Sequence, residues 1–314
     1  MIKNDVRKKS ILSIGSFDGC HLGHQKLIQS VIERAEREGC IPTILTFYPH
    51  PRDFFQKHGV ENNLFTPEMK SRYLTQLGIE KTYIQDFNQE FANQTANWFF
   101  YEFLEKQLNA STIFVGPNFC FGKNRQGDSN WLLKQERGPE VKILSPQVIQ
   151  ENMISSSKIR NALTSQNPAL AHKYLGREYL LEGRLIPGQK LGRTLGIPTF
   201  NLGKIQQLIP ANGVYTGWVW IAPQSDSEQH APIHPGPKVP AVINIGKRPT
   251  LSQGHIQVEA HALSGDWGKE IYGHRAGFYL QNFLRDEQKF ASLEELKQQI
   301  QIDIDRAYSL IATP

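Results

Sequence analysis

Residues 11–35 read ILSIGSFDGCHLGHQKLIQSVIERA, and the reading of this stretch decides the first half of the chain. ILSIG (11–15) is a short apolar run that stops at a glycine, the pattern of a buried strand. Leu27, Ile28, Val31, Ile32 and Ala35 then fall at helical spacing, so a strand turns into a helix through GSFDGCHLGHQ (15–25). The same alternation continues outward. IPTILTF (41–47), KTYIQDF (81–87), STIFVG (111–116) and VKILSP (141–146) read as strands. Helices are expected at 67–77, after Thr66-Pro67, at 94–108 and at 129–136. Strands alternating with helices predict a doubly wound parallel sheet.

The second half has another rhythm. Runs at 179–186, 213–221, 239–245, 256–263 and 275–283 follow one another with glycine and proline between them and no long helix. That pattern predicts an antiparallel barrel or sandwich. One helix closes the chain, with Leu293, Leu296, Ile300 and Ile304 on one face and Ser292 as its cap. The polar, proline-rich stretch 222–238 reads as a long hairpin loop. A length of 314 residues accommodates two domains, placed at 1–168 and 169–314. Hydrophobic residues at 39% and charged residues at 21% exclude a disordered chain, and no apolar run is long enough to span a membrane. The basic start (Lys3, Arg7, Lys8, Lys9) has no apolar signal-type stretch behind it, so no targeting segment is expected. Three scattered cysteines, Cys20, Cys40 and Cys120, fit a reducing cytoplasm. The net charge of +5 suits polyanionic ligands, but the basic residues are spread out, which argues against a nucleic-acid surface.

The turn 15–25 lies where an open parallel sheet binds ligands, at the C-terminal edge of a strand. Gly15, Gly19 and Gly23 let backbone approach a ligand, and Asp18 sits among them. His21 and His24, at a helix start, can meet phosphate oxygens as donors; an ordinary helix cap or a pair of metal ligands are the other readings of an HxxH spacing. ISSSKIR (154–160) opens another helix with Ser156, Ser157, Lys158 and Arg160, either as a second phosphate contact or as a well-capped helix end. In GQKLGRTLGIPTFNL (188–202), Gly188, Gly192 and Gly196 recur with Lys190 and Arg193 between them, a loop able to wrap phosphates or a plain glycine-rich turn. Thr199 and Asn201, two residues apart on a strand, share a face and offer two neutral oxygens suited to Mg2+. Glu259 in VEAHAL (258–263) is a carboxylate on a strand, either solvent-facing or a base for a hydroxyl proton.

GSFDGCHLGHQ resembles the GxFDGxHxGH signature of HxGH nucleotidyltransferases. VGPNFCFGKNRQGD (115–128) resembles the glycine- and phenylalanine-rich segment of bacterial FAD synthetases, and ISSSKIR is similar to their ISSTRIR motif. Gly192, Arg193, Gly196, Pro198, Thr199 and Asn201 match the riboflavin kinase signature GRxxGxPTxN, and NIGKRPT (244–250) and RDEQKF (285–290) resemble segments near its base and flavin. Over about residues 11 to 308 the chain resembles bacterial bifunctional riboflavin kinase/FMN adenylyltransferases. The resemblance implies a nucleotidyltransferase-type parallel α/β sheet followed by a six-stranded antiparallel β-barrel with a C-terminal helix. It implies a cytoplasmic enzyme acting on riboflavin, FMN and ATP with Mg2+, needing neither nucleic acid nor membrane; oligomeric state stays open. His21 and His24 would contact ATP phosphates, with Ser156, Ser157 and Arg160 holding the triphosphate. Asn118, Phe119 and Phe121 would position flavin in the first half, and Arg285 would contact it in the second. Thr199 and Asn201 would hold Mg2+, and Glu259 would be the kinase base. Ser16, Tyr48, Lys158 and Phe200 depart from the family pattern, where Asn, an acidic residue, Arg and Ala are usual.

Overall fold

The computed structural model describes residues 8–56, 62–145, 148–149, 152–187, 199–222, 237–247, 256–265 and 271–311. The chain forms two compact units, 1–60 with 65–155, and 61–64 with 156–314. The main sheet of the first has five strands: β1 (Ser10–Ile14), β2 (Ile41–Tyr48), β3 (Lys81–Asp86), β4 (Ala110–Val115) and β5 (Glu140–Ile143). They lie in the order β3-β2-β1-β4-β5, all parallel. β1 is therefore flanked by β2 on one side and β4 on the other, and right-handed crossovers in the two directions put connecting helices on opposite faces. All five residues of β1 are buried, as a central parallel strand requires.

Helix α1 (Leu22–Glu38) buries Ile28, Val31 and Ala35, the stripe expected from spacing, and ends at Gly39 in the left-handed region (φ 64°). Helix α2 (Pro67–Gln76) is capped by the Thr66 hydroxyl, which accepts from the Met69 N–H at 3.2 Å. The helix expected at 94–108 winds as a π-helix over Trp98–Gln107. It buries Phe99, Phe100, Phe103 and Leu104 against Leu12, Ile113 and Val115 of the sheet. The wider turn lets four bulky side chains within six residues share one buried surface.

The second unit contains α3 (Ser156–Thr164), α4 (Pro168–Leu175) and six strands. These are β6 (Tyr179–Ile186), β7 (Phe200–Gly203), β8 (Gly213–Ile221), β9 (Val239–Lys247), β10 (Ile256–Ala262) and β11 (Arg275–Arg285). They close an antiparallel barrel in the order β6-β7-β10-β9-β8-β11. The strand pattern anticipated five of them; the sixth, β7, is the extended stretch after Pro198. Alternation sends Val258, Ala260 and Ala262 of β10 inward, so Gln257, Glu259 and His261 line its other face. The closing helix α5 (Leu293–Leu310) starts at Ser292, whose hydroxyl accepts from the Glu295 N–H at 3.2 Å. Most of the loop expected at 222–238 lies outside the described residues.

Barrel closure depends on a close approach at Gly217. The β8–β11 register shifts between Thr216 and Gly217, and a Cβ at Gly217 would run into the Tyr279 carbonyl oxygen. Gly217→Ala is expected to destabilise the second unit by about 3 kcal/mol. Urea unfolding followed through the fluorescence of buried Trp220 measures it; a cost below about 0.5 kcal/mol contradicts this packing.

Candidate active sites

The turn after β1 is backbone-strained. Phe17 (φ 45°) and Cys20 (φ 39°) take left-handed conformations that side chains disfavour, and Gly19 (φ 72°) supplies the one position where such a φ costs little. Asp18 is buried and its Oδ1 accepts the Phe65 N–H at 3.1 Å, so it braces the turn from behind. His21 is the N-cap of α1: its Nδ1 accepts the His24 N–H at 3.3 Å. That bond puts the imidazole proton on Nε2. Gly23 leaves one position in the first turn of α1 without a side chain. The His21 and His24 rings stack at 3.6 Å between centroids and 12° between planes, and Phe17 packs on His24 at 5.2 Å.

Burial holds His24 well below the ordinary histidine range, and neighbouring His21 and Lys70 push the same way. His24 Nδ1 is enclosed without a hydrogen-bond partner among the described residues. Two stacked rings, one of them held neutral at a helix N-terminus, suit donors to phosphate oxygens better than a metal site. Among the described residues no three His, Cys, Asp or Glu side chains gather as metal ligands.

Gly15 and Ser16 form one edge of a cavity of about 850 Å³. Asn118, Phe119 and Phe121 form another edge, so the structure brings the first and second sequence segments together. Phe119 and Phe121 stack at 5.4 Å, and Phe47, Phe55, Phe87, Phe91 and Phe99 complete an aromatic wall. His50, Arg52 and Arg125 add polar and cationic groups to it. The sequence reading passed over these three, although the first two lie in TFYPHPR and the last in the segment already singled out. The wall itself was illegible there, because Phe87 and Phe91 are brought in from the end of β3. Arg125 donates to Cys120 Sγ at 3.2 Å. Such a cavity fits a flat aromatic ligand carrying an anionic group.

ISSSKIR straddles the division between the units. Ser156, Ser157, Lys158 and Arg160 lie in the first five residues of α3, in the second unit. Arg160 Nε donates to the Asn62 carbonyl at 2.7 Å, which ties α3 to the 61–64 segment.

In the barrel, β7 and β10 place Asn201 opposite Glu259, and β9 places Asn244 opposite Glu259 on the other side. The Thr199 hydroxyl donates to Glu259 Oε1. Gln257, which sequence reasoning did not select, donates to Asn201 Oδ1 and reaches Glu259 Oε2 at 3.5 Å. Asn201 is buried to 1% exposure, and its Nδ2 has no hydrogen-bond partner among the described residues. Oxygen donors from Thr199, Asn201 and Glu259 therefore converge, and all are hard ligands. Gly188, Gly192, Arg193 and Gly196, the glycine loop preceding β7, lie outside the described residues. Arg285 braces the end of β11: Nε and Nη2 bind buried Asp303 of α5 at 2.7–3.1 Å, and Nη1 donates to the Asp286 carbonyl at 2.9 Å. Glu287 packs over Gly246, where a side chain would collide with its carboxylate, so the 285–290 segment meets the end of β9 there.

Family models match along the chain in two parts: FAD synthetase over residues 3–158 and riboflavin kinase over residues 175–311. The bifunctional riboflavin kinase/FMN adenylyltransferase of Escherichia coli (strain K12) is 36% identical over 297 residues, covering 93% of this chain and 90% of the relative. The chain belongs to the bifunctional riboflavin kinase/FMN adenylyltransferase family. Its counterpart from Bacillus subtilis (strain 168) is 32% identical over 313 residues, covering 98% and 94% of the two chains. A crystal structure described as a macrolide-efflux protein from Streptococcus pneumoniae shares the fold, with a TM-score of 0.83, 29% identity, and 96% and 94% coverage. Among the described residues of this family member no helix is long and apolar enough to cross a membrane.

The neutral state of His24 has a consequence for stability. The unfolded chain protonates this histidine below about pH 6.5, and the folded chain does not. Below that pH the unfolded state binds more protons, so the first unit loses stability as pH falls through 6.5. Thermal unfolding between pH 7.5 and 5.5 is expected to show a shallower acid-side loss in His24→Asn than in the parent; equal slopes contradict a neutral His24.

Proposed function

We propose that the two reactions of the family are carried by separate side-chain sets in this chain, with the second unit phosphorylating riboflavin and the first adenylylating FMN. The observation that carries the reading is that each matched half has its own polar site: the stacked imidazoles beside an aromatic cavity, and the Thr199–Asn201–Glu259 oxygen cluster.

In the kinase half, Glu259 accepts the proton of the riboflavin 5′-hydroxyl as its oxygen attacks the γ-phosphorus of ATP, and ADP leaves. Thr199 and Asn201 would hold Mg2+; the converging oxygens of Thr199, Asn201 and Glu259 fit an ion that also takes phosphate and water ligands. When bound, the ion neutralises charge on the phosphate oxygens. Gly188, Gly192, Arg193 and Gly196 are assigned to the ATP phosphates through their loop. Arg285 contributes by holding the 285–290 segment in place through Asp303, so its link to flavin runs through that segment.

In the adenylyltransferase half, an FMN phosphate oxygen attacks the α-phosphorus of ATP and pyrophosphate leaves. The nucleophile is already ionised near neutral pH, so no general base is required. Alignment and electrostatics carry the rate. His21 Nε2–H and neutral His24 serve as donors to the phosphates, with Gly15, Asp18, Gly19 and Gly23 shaping the turn. Ser156, Ser157, Lys158 and Arg160 are assigned to the triphosphate. The aromatic cavity with Asn118, Phe119 and Phe121 takes the isoalloxazine, and Arg52 and Arg125 lie on its wall to meet the FMN phosphate. The three cysteines, none in a disulfide, support a cytoplasmic site of action.

Separate sites predict separable losses. Glu259→Gln is expected to lower FMN formation from riboflavin by at least about 10³-fold while FAD formation from supplied FMN persists. His24→Ala is expected to lower FAD formation about 10²-fold while FMN accumulates. Chromatography of flavin products reads both; parallel loss of both activities in either variant overturns the assignment.

A further inference from the structure

Lys70 is a buried charge that neither proposed reaction employs. It lies on the inner face of α2 at 8% exposure, beside Met69 and Leu74. Its ammonium donates to the Ser16 carbonyl at 2.7 Å and to Thr46 Oγ1 at 3.1 Å. Thr46 Oγ1 in turn donates to the same Ser16 carbonyl at 3.0 Å. The three groups form a closed triangle directly behind the turn that joins β1 to α1. No carboxylate lies within ion-pair distance of this ammonium among the described residues. Burying an ammonium on two neutral oxygens costs several kcal/mol of desolvation, and hydrogen bonds alone repay it poorly. A methionine of similar length would pack on this face without that cost. The charge therefore calls for a reason other than stability.

We propose that Lys70 is a positioning residue of adenylyl transfer: it fixes the Ser16 carbonyl and places a buried positive charge behind the His21–His24 pair. The inference rests on the assignment of that turn to FMN adenylylation. With the Ser16 carbonyl held toward α2, the chain enters Phe17 in its left-handed conformation, and Gly15 and Ser16 stay at the cavity edge. The side chain is buried, so its field acts largely through low-dielectric protein on the imidazoles and on anions in front of them. Burial pulls Lys70 below the ordinary lysine range, while Asp18 and Cys20 act in the opposite sense. Its charge is among the causes that hold His24 low. Lys70 thereby adds to the burial that holds His24 low before ATP arrives, and it adds attraction for the triphosphate without a flexible side chain that must be ordered. In sequence it reads as one more exposed cation in EMKSR, and only the fold turns it inward.

The test uses the full chain, whose kinase half serves as an internal control. Lys70→Met is expected to lower kcat for FAD formation from FMN and ATP about 10²-fold, with riboflavin phosphorylation unchanged. The His24 imidazole, followed by NMR of ring-labelled histidine, is expected to shift its titration upward by roughly half a pH unit, which lost packing alone does not produce. Thr46→Val keeps the charge but opens the triangle, and is expected to cost several-fold in kcat with His24 unmoved. Should Lys70→Met melt the first unit, Thr46→Val and the parent titration decide. Unaltered FAD formation in Thr46→Val together with a His24 titrating in the ordinary range overturns the proposal, as does full FAD formation by folded Lys70→Met. A parent protein that makes no FAD from FMN overturns the underlying assignment instead.

Discussion

The position of β1 between β2 and β4 is the constraint on which the first unit depends. Because the chain leaves β1 in one direction to build β2 and β3 and returns to build β4 and β5 on the other, a crevice opens at its C-terminal end. Whatever follows Ile14 must turn sharply into α1 there, and its N–H groups face the crevice. The residues at 15–24 answer that geometry. Gly19 accepts a left-handed φ, Asp18 and Lys70 brace the turn from inside, and His21 caps the helix. The strain at Phe17 and Cys20 is sustained because these buried contacts over-determine the turn. The topology makes this edge a ligand-binding position independently of any motif, which supports the proposed phosphate contacts there.

The barrel solves a related problem by another route. A closed sheet has no crevice, so its reactive groups stand on a strand face that alternation frees from the core. Val258 and Ala260 fill the interior, and Glu259 between them faces outward beside Asn201 on the neighbouring strand. Register does the work: a slip of one residue along β10 would exchange Glu259 for an apolar neighbour. The Arg285–Asp303 pair and the Glu287–Gly246 packing hold the end of β11 and α5 against this arrangement.

Much of this was legible in the residues. Periodicity located ten of the eleven strands of the two sheets to within a few positions, β7 being the exception, and spacing marked the glycine-histidine turn and the Thr-x-Asn pair as candidate sites. What stayed hidden depended on long-range packing. Lys70 and Gln257 are ordinary polar residues whose roles come from what the fold places opposite them. The aromatic cavity draws on rings from 47 to 121 that no local window connects. The helix at Trp98–Gln107 winds as a π-helix, while its amphipathic pattern alone suggests a regular α-helix. Arg285 shows the converse: a segment resemblance pointed to flavin, and the structure gives the guanidinium a buried carboxylate to hold.

Consecutive reactions on one chain leave a distinctive stoichiometry, which tests the account most directly. Riboflavin incubated with excess ATP and Mg2+ is followed to completion, with flavins, ADP and pyrophosphate quantified in the same samples. The account predicts FMN before FAD, and equal amounts of ADP and pyrophosphate for every FAD formed. ADP that accumulates with FMN while neither pyrophosphate nor FAD appears would contradict it.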